Sequence, residues 1–319
     1  MSNLSPAGPG IARDQLEPKP LGQSSTIGKS NLRKNIVGYL FILPNLVLFL
    51  AFVLYPLVFS LFMALTEWNI LGSMTFVGLR NFVRMVKDEW FWNAMGNTLY
   101  FVGVAVPLRT LAGLLVALLI YHAKKFNYLF RVLFFFPYIS MLVAVSLIFM
   151  WLYDPDYGLF NYLLSLVGIQ GPAWLQSATW AMPSIIALSV WKNFGYIMII
   201  YLAAIIGLPS DYFEAAEIDG ASTFQRIRMI MLPLLSPTTL FVVTIQLIFS
   251  FQVFPEVFIM TQGGPSGATH TIVYGIYEIG FTWFQMGYAS SWAWTLFLVV
   301  LVLVVIQWRM RKRWVFTYE

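Results

Sequence analysis

The sequence contains no cysteine and only two histidines, His122 and His270, which lie far apart along the chain. These absences exclude a disulfide framework and a thiolate metal site, and they argue against a metal centre built on histidine. Charged residues make up only 10% of the chain, whereas soluble domains carry roughly a quarter. No G-x-x-x-x-G-K-[ST] segment occurs, so the chain lacks this nucleotide-binding loop.

Apolar residues take the place of the missing charge. They account for 59% of the 319 residues, and the mean hydropathy is +0.75. This composition predicts an all-α, polytopic membrane protein. The net charge of +5 comes from basic residues next to apolar segments, which indicates membrane topology and no nucleic-acid partner.

Six apolar runs reach the length of about twenty residues that a helix needs to cross a hydrocarbon layer of roughly 30 Å. The predicted spans are 36–65, 97–121, 128–152, 183–207, 237–258 and 289–308. The first run is too long for the core of a signal peptide, which has roughly 7–15 residues. Residues 159–167 are apolar but too few to span, so we expect an interfacial helix on the outer side.

The flanking segments set the domain limits and the orientation. Residues 1–34 are rich in Pro, Gly and Ser, and this composition predicts a disordered N-terminal tail. A transmembrane domain is predicted over 35–310, with its core at 93–308. A C-terminal tail is predicted at 311–319. Fourteen Lys and Arg residues fall in the tails and in the loops 122–131 and 208–237, against three on the other side. By the positive-inside rule, both termini are expected in the cytoplasm.

One polar segment, 209–233, interrupts the apolar C-terminal part of the chain. Asp211 with Glu214, and Ser222 with Gln225, have the spacing of a helix capping box, so two short helices are predicted. Gly220 is the expected hinge between them. The order Glu-Ala-Ala, three residues, Gly, nine residues, Ile-x-Leu-Pro resembles the cytoplasmic EAA loop of ABC importer permeases.

Further segments in the same order resemble the carbohydrate branch of this family, the maltose and glycerol-phosphate type. They are 76–82 (FVGLRNF), 91–98 (FWNAMGNT), 174–175 (WL), 190–192 (VWK), 259–265 (IMTQGGP) and 286–290 (MGYAS). The resemblance covers about residues 35–310. It implies the type I permease fold in a bacterial or archaeal inner membrane, and the import of an oligosaccharide, sugar or sugar phosphate.

The resemblance also implies partners: a second permease subunit, two ATPase subunits that carry ATP and Mg²⁺, and an extracytoplasmic substrate-binding protein. This chain itself is expected to bind no cofactor and to catalyse no reaction. Small side chains beside a carboxylate suit close contact with an arginine on an ATPase surface, although Glu214 alone could simply cap its own helix. The expected coupling residues are Glu214, Ala215, Ala216, Asp219, Gly220, Leu232 and Pro233.

Two polar stripes lie within the predicted spans, where polar groups normally face the bundle interior or a wet cavity. They are Ser189, Lys192, Asn193 and Tyr196 in the fourth span, and Gln246, Phe249 and Ser250 in the fifth. Amides, hydroxyls and aromatic faces suit a polyhydroxylated sugar, and the resemblance implies a midplane sugar site on these helices. The alternative is that the stripes only form hydrogen bonds between helices.

Three further features leave their roles open. Lys192 fits contact with an anionic substrate, pairing with a carboxylate, or a side chain that snorkels outward. Arg109 is expected to face the bundle interior and pair with a carbonyl or a carboxylate. The resemblance places the Gly-rich segment 261–269 near the docking surface of a binding protein, whereas its composition alone predicts only a connecting turn.

Other functions remain as alternatives. The same scaffold serves permeases for amino acids or peptides. An ion-coupled secondary transporter would show carboxylates at mid-membrane, and we expect none deep in the six spans. A membrane enzyme is disfavoured because the spans carry no nucleophile–base pair or metal cluster.

Overall fold

The computed structural model describes residues 29–70, 72–123 and 127–314. The helices in this part of the chain are α1 (Lys29–Phe49), α2 (Tyr55–Ala64), α3 (Arg80–Val86), α4 (Glu89–His122), α5 (Asn127–Ile139), α6 (Leu142–Leu152), α7 (Leu159–Leu166), α8 (Ala181–Ile206), α9 (Asp211–Ile218), α10 (Thr223–Arg226), α11 (Leu232–Leu234), α12 (Ser236–Ser250), α13 (Pro255–Met260), α14 (Ile272–Tyr277) and α15 (Met286–Trp314). Shorter elements are π-helical turns at Leu50–Leu54, Ile227–Met231 and Glu278–Thr282, a 3₁₀ turn at Trp174–Gln176, and strands β1 (Thr66–Glu67) and β2 (Thr75–Phe76).

The chain divides into two compact units, residues 1–57 and 58–319. In the first unit, residues 39–57 are mostly apolar and are exposed, as a lipid-facing helix requires. Helix α1 begins at Lys29, within the predicted tail of residues 1–34. The rest of that predicted tail, residues 1–28, lies outside the described residues, as does 315–319 of the predicted C-terminal tail.

The second unit is built around α8, which packs along α4 and against α5. One core cluster lies between α4, α8, α14 and α15, where Trp292 is 1% exposed and meets Phe91 edge to face at 5.1 Å. A second cluster includes Met198 and Tyr201 of α8 and the partly buried Phe213 of α9. Phe213 therefore joins the polar loop to the packed helices.

The number of spans depends on two bent helix pairs. Four helices are long and apolar enough to cross a membrane: Tyr39–Ala64, Glu89–His122, Ala181–Ile206 and Met286–Lys312. Two further pairs, Asn127–Ile139 with Leu142–Leu152 and Thr223–Leu234 with Ser236–Ser250, are bent by 93° and 62°. The described chain therefore has six spans if each bent pair counts as one.

The predicted spans at 128–152 and 237–258 are not single straight helices. The first breaks at Ser140 and Met141, and the second ends at Ser250 before the separate helix α13. Helix α4 begins at Glu89, eight residues before the predicted span, because the Asp88 carboxylate accepts a hydrogen bond from the Trp90 amide and caps it. The predicted helix at 159–167 is present as α7.

Prolines and one glycine explain how these helices bend and pack. Pro137 lies in α5, and Pro233 lies beside the second bend, where a missing N–H weakens the helix. At Gly195 of α8, a Cβ atom would lie 2.0 Å from the Phe134 carbonyl oxygen of α5. Only glycine permits this contact, so Gly195 sets how closely α5 approaches α8.

Strands β1 and β2 form one short antiparallel pair, with Thr66 opposite Phe76, which the all-α prediction did not include. The Asn81 amide holds this hairpin by donating to the carbonyls of Ala64 and Thr66 at 2.9 and 2.8 Å. The pair is too small to change the helical architecture.

Candidate functional site

A cavity of about 260 Å³ opens between α4, α8 and α12. Its lining residues are Phe101, Arg109, Tyr138, Leu142, Asn193, Tyr196, Gln246, Phe249, Ser250, Gln252, Val253, Pro255 and Glu256. Ligand cavities in proteins typically have volumes of about 300–1,000 Å³, so this one suits a single small polar ring. Five of the seven residues predicted from the two stripes line it: Asn193, Tyr196, Gln246, Phe249 and Ser250.

Aromatic faces form part of the cavity wall. The Tyr196 ring stacks on the Tyr138 ring, with centroids 4.7 Å apart and an interplanar angle of 15°. Phe249 also lines the cavity and is 66% exposed. No local pattern singles out Tyr138, because its contact with α8 depends on the bend between α5 and α6.

Ser189, the first residue of the predicted stripe on α8, contacts Arg109 and does not line the cavity. The Arg109 guanidinium donates to the Ser189 hydroxyl through Nη2 and to the Ser250 hydroxyl at 3.0 Å through Nη1. Arg109 is 4% exposed, and it also lies over the Phe101 ring at 5.5 Å. As predicted, it faces the bundle interior, but its hydrogen-bond partners are hydroxyls instead of a carbonyl or carboxylate.

Lys192 is directed to the backbone of the bent pair. Its Nζ donates to the carbonyls of Pro137 at 3.2 Å, Tyr138 at 3.1 Å and Ser140 at 2.7 Å. The last carbonyls of a helix have no partner within the helix, and a cation there is favourable. Lys192 thus caps α5 where the chain turns by 93°.

Glu256 is a functional candidate that the sequence prediction missed. Its side chain is 8% exposed at the start of α13, and it lines the cavity together with Arg109. Glu256 lies two residues before the end of the predicted span 237–258, and the sequence analysis did not select it as a site residue. A charged residue inside an apolar run was the available signal.

The polar loop has the predicted helix–turn–helix form, with one correction at its start. Helix α9 begins at Asp211, but Ser210 before it is already helical and no side chain caps the helix. The predicted capping box of Asp211 and Glu214 is therefore absent. The second capping box is present: the Ser222 hydroxyl accepts from the Gln225 amide, and the Gln225 side chain accepts from the Ser222 amide.

Gly220 joins the two helices of the loop with a φ of +79°, a conformation that disfavours side chains. The Ala221 amide donates to the Ala216 carbonyl at 2.9 Å and the Gly220 amide to the Glu217 carbonyl at 3.1 Å, which is the Schellman pattern. Arg226 of α10 pairs with Glu217 of α9 at 2.7 Å. The hinge is therefore held in one defined geometry.

The loop presents an exposed surface of mixed character. Ile218 is 87%, Phe224 70% and Met229 70% exposed, an arrangement typical of a protein-binding surface. Glu214 is exposed too, and within the described residues no hydrogen bond or ion pair engages its carboxylate. Ala215 and Leu232 are exposed, whereas Ala216 and Pro233 are half-buried.

The Gly-rich segment 261–269 forms a series of tight turns near one end of α4. Gln262, Gly263, Ser266 and Gly267 all have positive φ angles. Asn97 of α4 holds the segment by donating through Nδ2 to the carbonyls of Gly267 at 2.8 Å and His270 at 3.0 Å.

At the same end of the helices, burial raises the pKa of Tyr153 to about 12, so the neutral phenol donates to the Ser184 carbonyl at 3.0 Å.

These features, a bundle of membrane-length helices with an internal polar cavity and an exposed helix–turn–helix loop, define a membrane permease. Residues 109–309 match the family described as binding-protein-dependent transport system inner membrane component. The match covers more than half of the chain, and the chain belongs to this family. The predicted family and helical membrane fold are confirmed. Membership also excludes the ion-coupled secondary transporter considered above.

Individual relatives cover nearly the whole chain. It is 36% identical over 292 residues to the probable ABC transporter permease protein YesP of Bacillus subtilis (strain 168), covering 90% of this chain and 94% of that protein. It is 35% identical over 292 residues to the lactose transport system permease protein LacF of Rhizobium radiobacter, covering 89% and 97%. A solved bacterial alginate ABC transporter, in complex with an alginate pentasaccharide-bound periplasmic protein, superposes with a TM-score of 0.80 at 25% identity, covering 89% and 96%.

Proposed function

We propose that this chain is one permease subunit of an ATP-driven ABC importer that moves a carbohydrate across the inner membrane. The observation that carries the proposal is the lining of the cavity between α4, α8 and α12. Asn193, Gln246 and Ser250 offer amide and hydroxyl groups, and Tyr196 and Phe249 offer aromatic faces. A sugar ring needs hydrogen-bond donors and acceptors at its rim and an apolar platform beneath it.

The subunit works as half of a pore that a second permease completes. Two ATPase subunits, which hold ATP and Mg²⁺, supply the energy, and an extracytoplasmic binding protein delivers the sugar. Relatives named for lactose and alginate transport support the carbohydrate class. The distribution of Lys and Arg supports a cytoplasmic position for both termini and for the loop 208–237.

Coupling to the ATPase runs through the loop 208–237. Its exposed carboxylate Glu214 meets an arginine of the ATPase, and the neighbouring apolar side chains of Ile218 and Phe224 pack on that surface. Phe213 passes the movement to the core cluster on α8. A partner shifts a conformational equilibrium only by binding one state better, so the ATPase must hold the loop differently when ATP closes it.

The proposal is tested by sugar uptake into proteoliposomes that contain the permease, its sister subunit and the ATPase, with the binding protein outside and ATP inside. We expect uptake of neutral oligosaccharides in wild type and a loss of at least about tenfold in Gln246→Leu, because the cavity loses a hydrogen-bonding amide. Gln176→Leu, at a position outside the cavity, is the matched control. Uptake of amino acids or peptides in place of sugars would contradict the carbohydrate assignment.

A further inference from the structure

We infer that the chain carries a second sugar site, apart from the cavity between α4, α8 and α12, which takes one neutral sugar ring at the outer side of the membrane. The inference rests on the proposed function for the class of ligand. The site is a cavity of about 270 Å³, called here the outer cavity. Its lining includes Asp88, Trp90, Gln262, His270, Glu278 and Trp283.

The outer cavity lies at the start of α4, beside the Gly-rich segment 261–269. It shares no lining residue with the cavity between α4, α8 and α12, so the two are separate places on the chain. The distribution of Lys and Arg that supports cytoplasmic termini supports an outer position for the start of α4, the second span. A sugar delivered from outside therefore reaches this cavity first.

Two tryptophans give the outer cavity open aromatic walls. Trp90 and Trp283 are 54% and 50% exposed. Trp90 is nevertheless fixed on one side: its ring centroid lies 5.3 Å from that of His270, and a Cβ at Gly267 would come within 2.9 Å of it. An indole that is held in place and half open offers the flat apolar surface on which the C–H groups of a sugar ring pack.

His270 brings an unpaired polar atom to the outer cavity. The residue is 5% exposed, and its Nε2 lies 3.1 Å from Oε2 of Glu278. A carboxylate only accepts hydrogen bonds, so Nε2 is the donor of this pair. The other ring nitrogen, Nδ1, is buried and has no hydrogen-bond partner among the described residues, which is costly unless a ligand pairs it.

A hydroxyl group suits this Nδ1 atom in either charge state of the imidazole. It donates to Nδ1 of the neutral ring, and its oxygen accepts from Nδ1–H of the charged ring. Glu278 supplies a further acceptor, because Oε2 takes the bond from His270 and no hydrogen bond within the described chain engages Oε1. The amide of Gln262 both donates and accepts. Groups that donate and accept together, as sugar hydroxyls do, match this lining.

The other carboxylate of the outer cavity has a structural role. Oδ1 of Asp88 accepts from the Trp90 amide at 2.9 Å, and Oδ2 accepts from the Tyr288 hydroxyl at 2.6 Å. Asp88 thereby ties the start of α4 to α15 and fixes the backbone that carries Trp90. The volume of the cavity is close to the lower limit of about 300 Å³ for ligand sites, which suits one ring of an oligosaccharide.

The test measures sugar binding after the cavity between α4, α8 and α12 has been weakened by Gln246→Leu. Saturation-transfer NMR follows maltose, lactose, sucrose and raffinose with the permease assembled with its sister subunit and ATPase in nanodiscs, without the binding protein. We expect the Gln246→Leu complex still to bind whichever of these sugars wild type imports.

Substitutions in the outer cavity are then added to Gln246→Leu. Trp283→Ala should weaken binding about tenfold, which corresponds to ~1.4 kcal/mol, because the sugar ring loses its platform. His270→Phe keeps an aromatic ring but removes Nδ1, and should weaken binding about fivefold. Trp151→Ala makes the same change as Trp283→Ala at a 59% exposed position on α6 outside the outer cavity, and should leave the affinity unchanged.

The outcomes separate the inference from the proposed function. Absence of sugar binding by the Gln246→Leu complex, or an affinity that Trp283→Ala and His270→Phe leave unchanged, overturns the inference, while sugar uptake by wild type in proteoliposomes upholds the proposed function. A Trp283→Ala complex that keeps its sugar affinity but loses the binding protein assigns the outer cavity to protein docking and also overturns the inference. If Trp283→Ala does not assemble, His270→Phe decides. If wild type neither imports nor binds any of the four sugars, both claims fail.

Discussion

Replacing Lys192 with methionine tests whether this residue supports the bend between α5 and α6. Methionine keeps the length and apolar stem of the side chain but removes the donor to the carbonyls of Pro137, Tyr138 and Ser140. Carbonyls within a membrane-spanning segment have no water to replace that donor, so each remains unsatisfied. The break in the span should become less stable.

The expected magnitude follows from those three bonds. A hydrogen bond from a charged group contributes about 1.5–3 kcal/mol, but bonds at one site are not additive. Removing the ammonium also removes the cost of burying it. We therefore expect the free energy of unfolding to fall by about 3 kcal/mol, and Tm by about 6 °C or more.

Thermal unfolding of the detergent-solubilised permease, followed by tryptophan fluorescence, measures this change. Lys192→Arg keeps a cation within reach of the carbonyls and should recover most of the lost stability. A Lys192→Met protein with the Tm of wild type but without sugar binding would refute the reasoning, because it would show that Lys192 binds substrate instead of capping α5.

Three further substitutions test the packing and the loops. Gly195→Ala should destabilise the protein by about 1–3 kcal/mol in thermal unfolding, because a Cβ would press on the Phe134 carbonyl, whereas Gly103→Ala, which has open space, should be neutral or stabilising. Gly220→Ala should lower the free energy of unfolding by about 1 kcal/mol and weaken co-purification with the ATPase, because Gly220 has a positive φ. Asparagine tolerates a positive φ better than alanine, so Gly220→Asn should lower both stability and co-purification less. Asn97→Asp keeps the shape of the side chain but removes the donor to two carbonyls, so protease cleavage within 261–269 should become faster; a wild-type cleavage rate would contradict that role.

Local patterns in the sequence predicted the apolar helices and the polar loop well. The length of an apolar run reports how much chain can cross a membrane, and Gly220 and the Ser222 capping box depend only on neighbouring residues. The error at Asp211 is local too: Ser210 already adopts helical angles, so Asp211 lies inside the first turn and cannot cap it.

The bends and the buried charges depend on contacts between residues far apart in sequence. The break after α5 is stabilised by Lys192 on α8. Hydropathy along the chain could not predict this, because it contains no information about which distant residue donates a hydrogen bond to a given carbonyl. Glu256 is 8% exposed and lines the same cavity as Arg109 of α4, a juxtaposition that no local pattern shows. Of the predicted stripe on α8, only Asn193 and Tyr196 line the cavity.

The most direct test of the central claim is ATP hydrolysis by the reconstituted importer, measured with sugar-loaded binding protein for wild type and for Glu214→Ala. We expect hydrolysis to rise with one class of sugar in wild type and to lose that response in Glu214→Ala while the complex still assembles, because the loop carboxylate no longer engages the ATPase. Asp211→Asn, on the same exposed helix, is the matched control and should respond like wild type. Coupling through this loop would be contradicted if the rate of ATP hydrolysis did not change with any sugar. It would also be contradicted if sugar stimulated hydrolysis by the Glu214→Ala complex as strongly as by wild type.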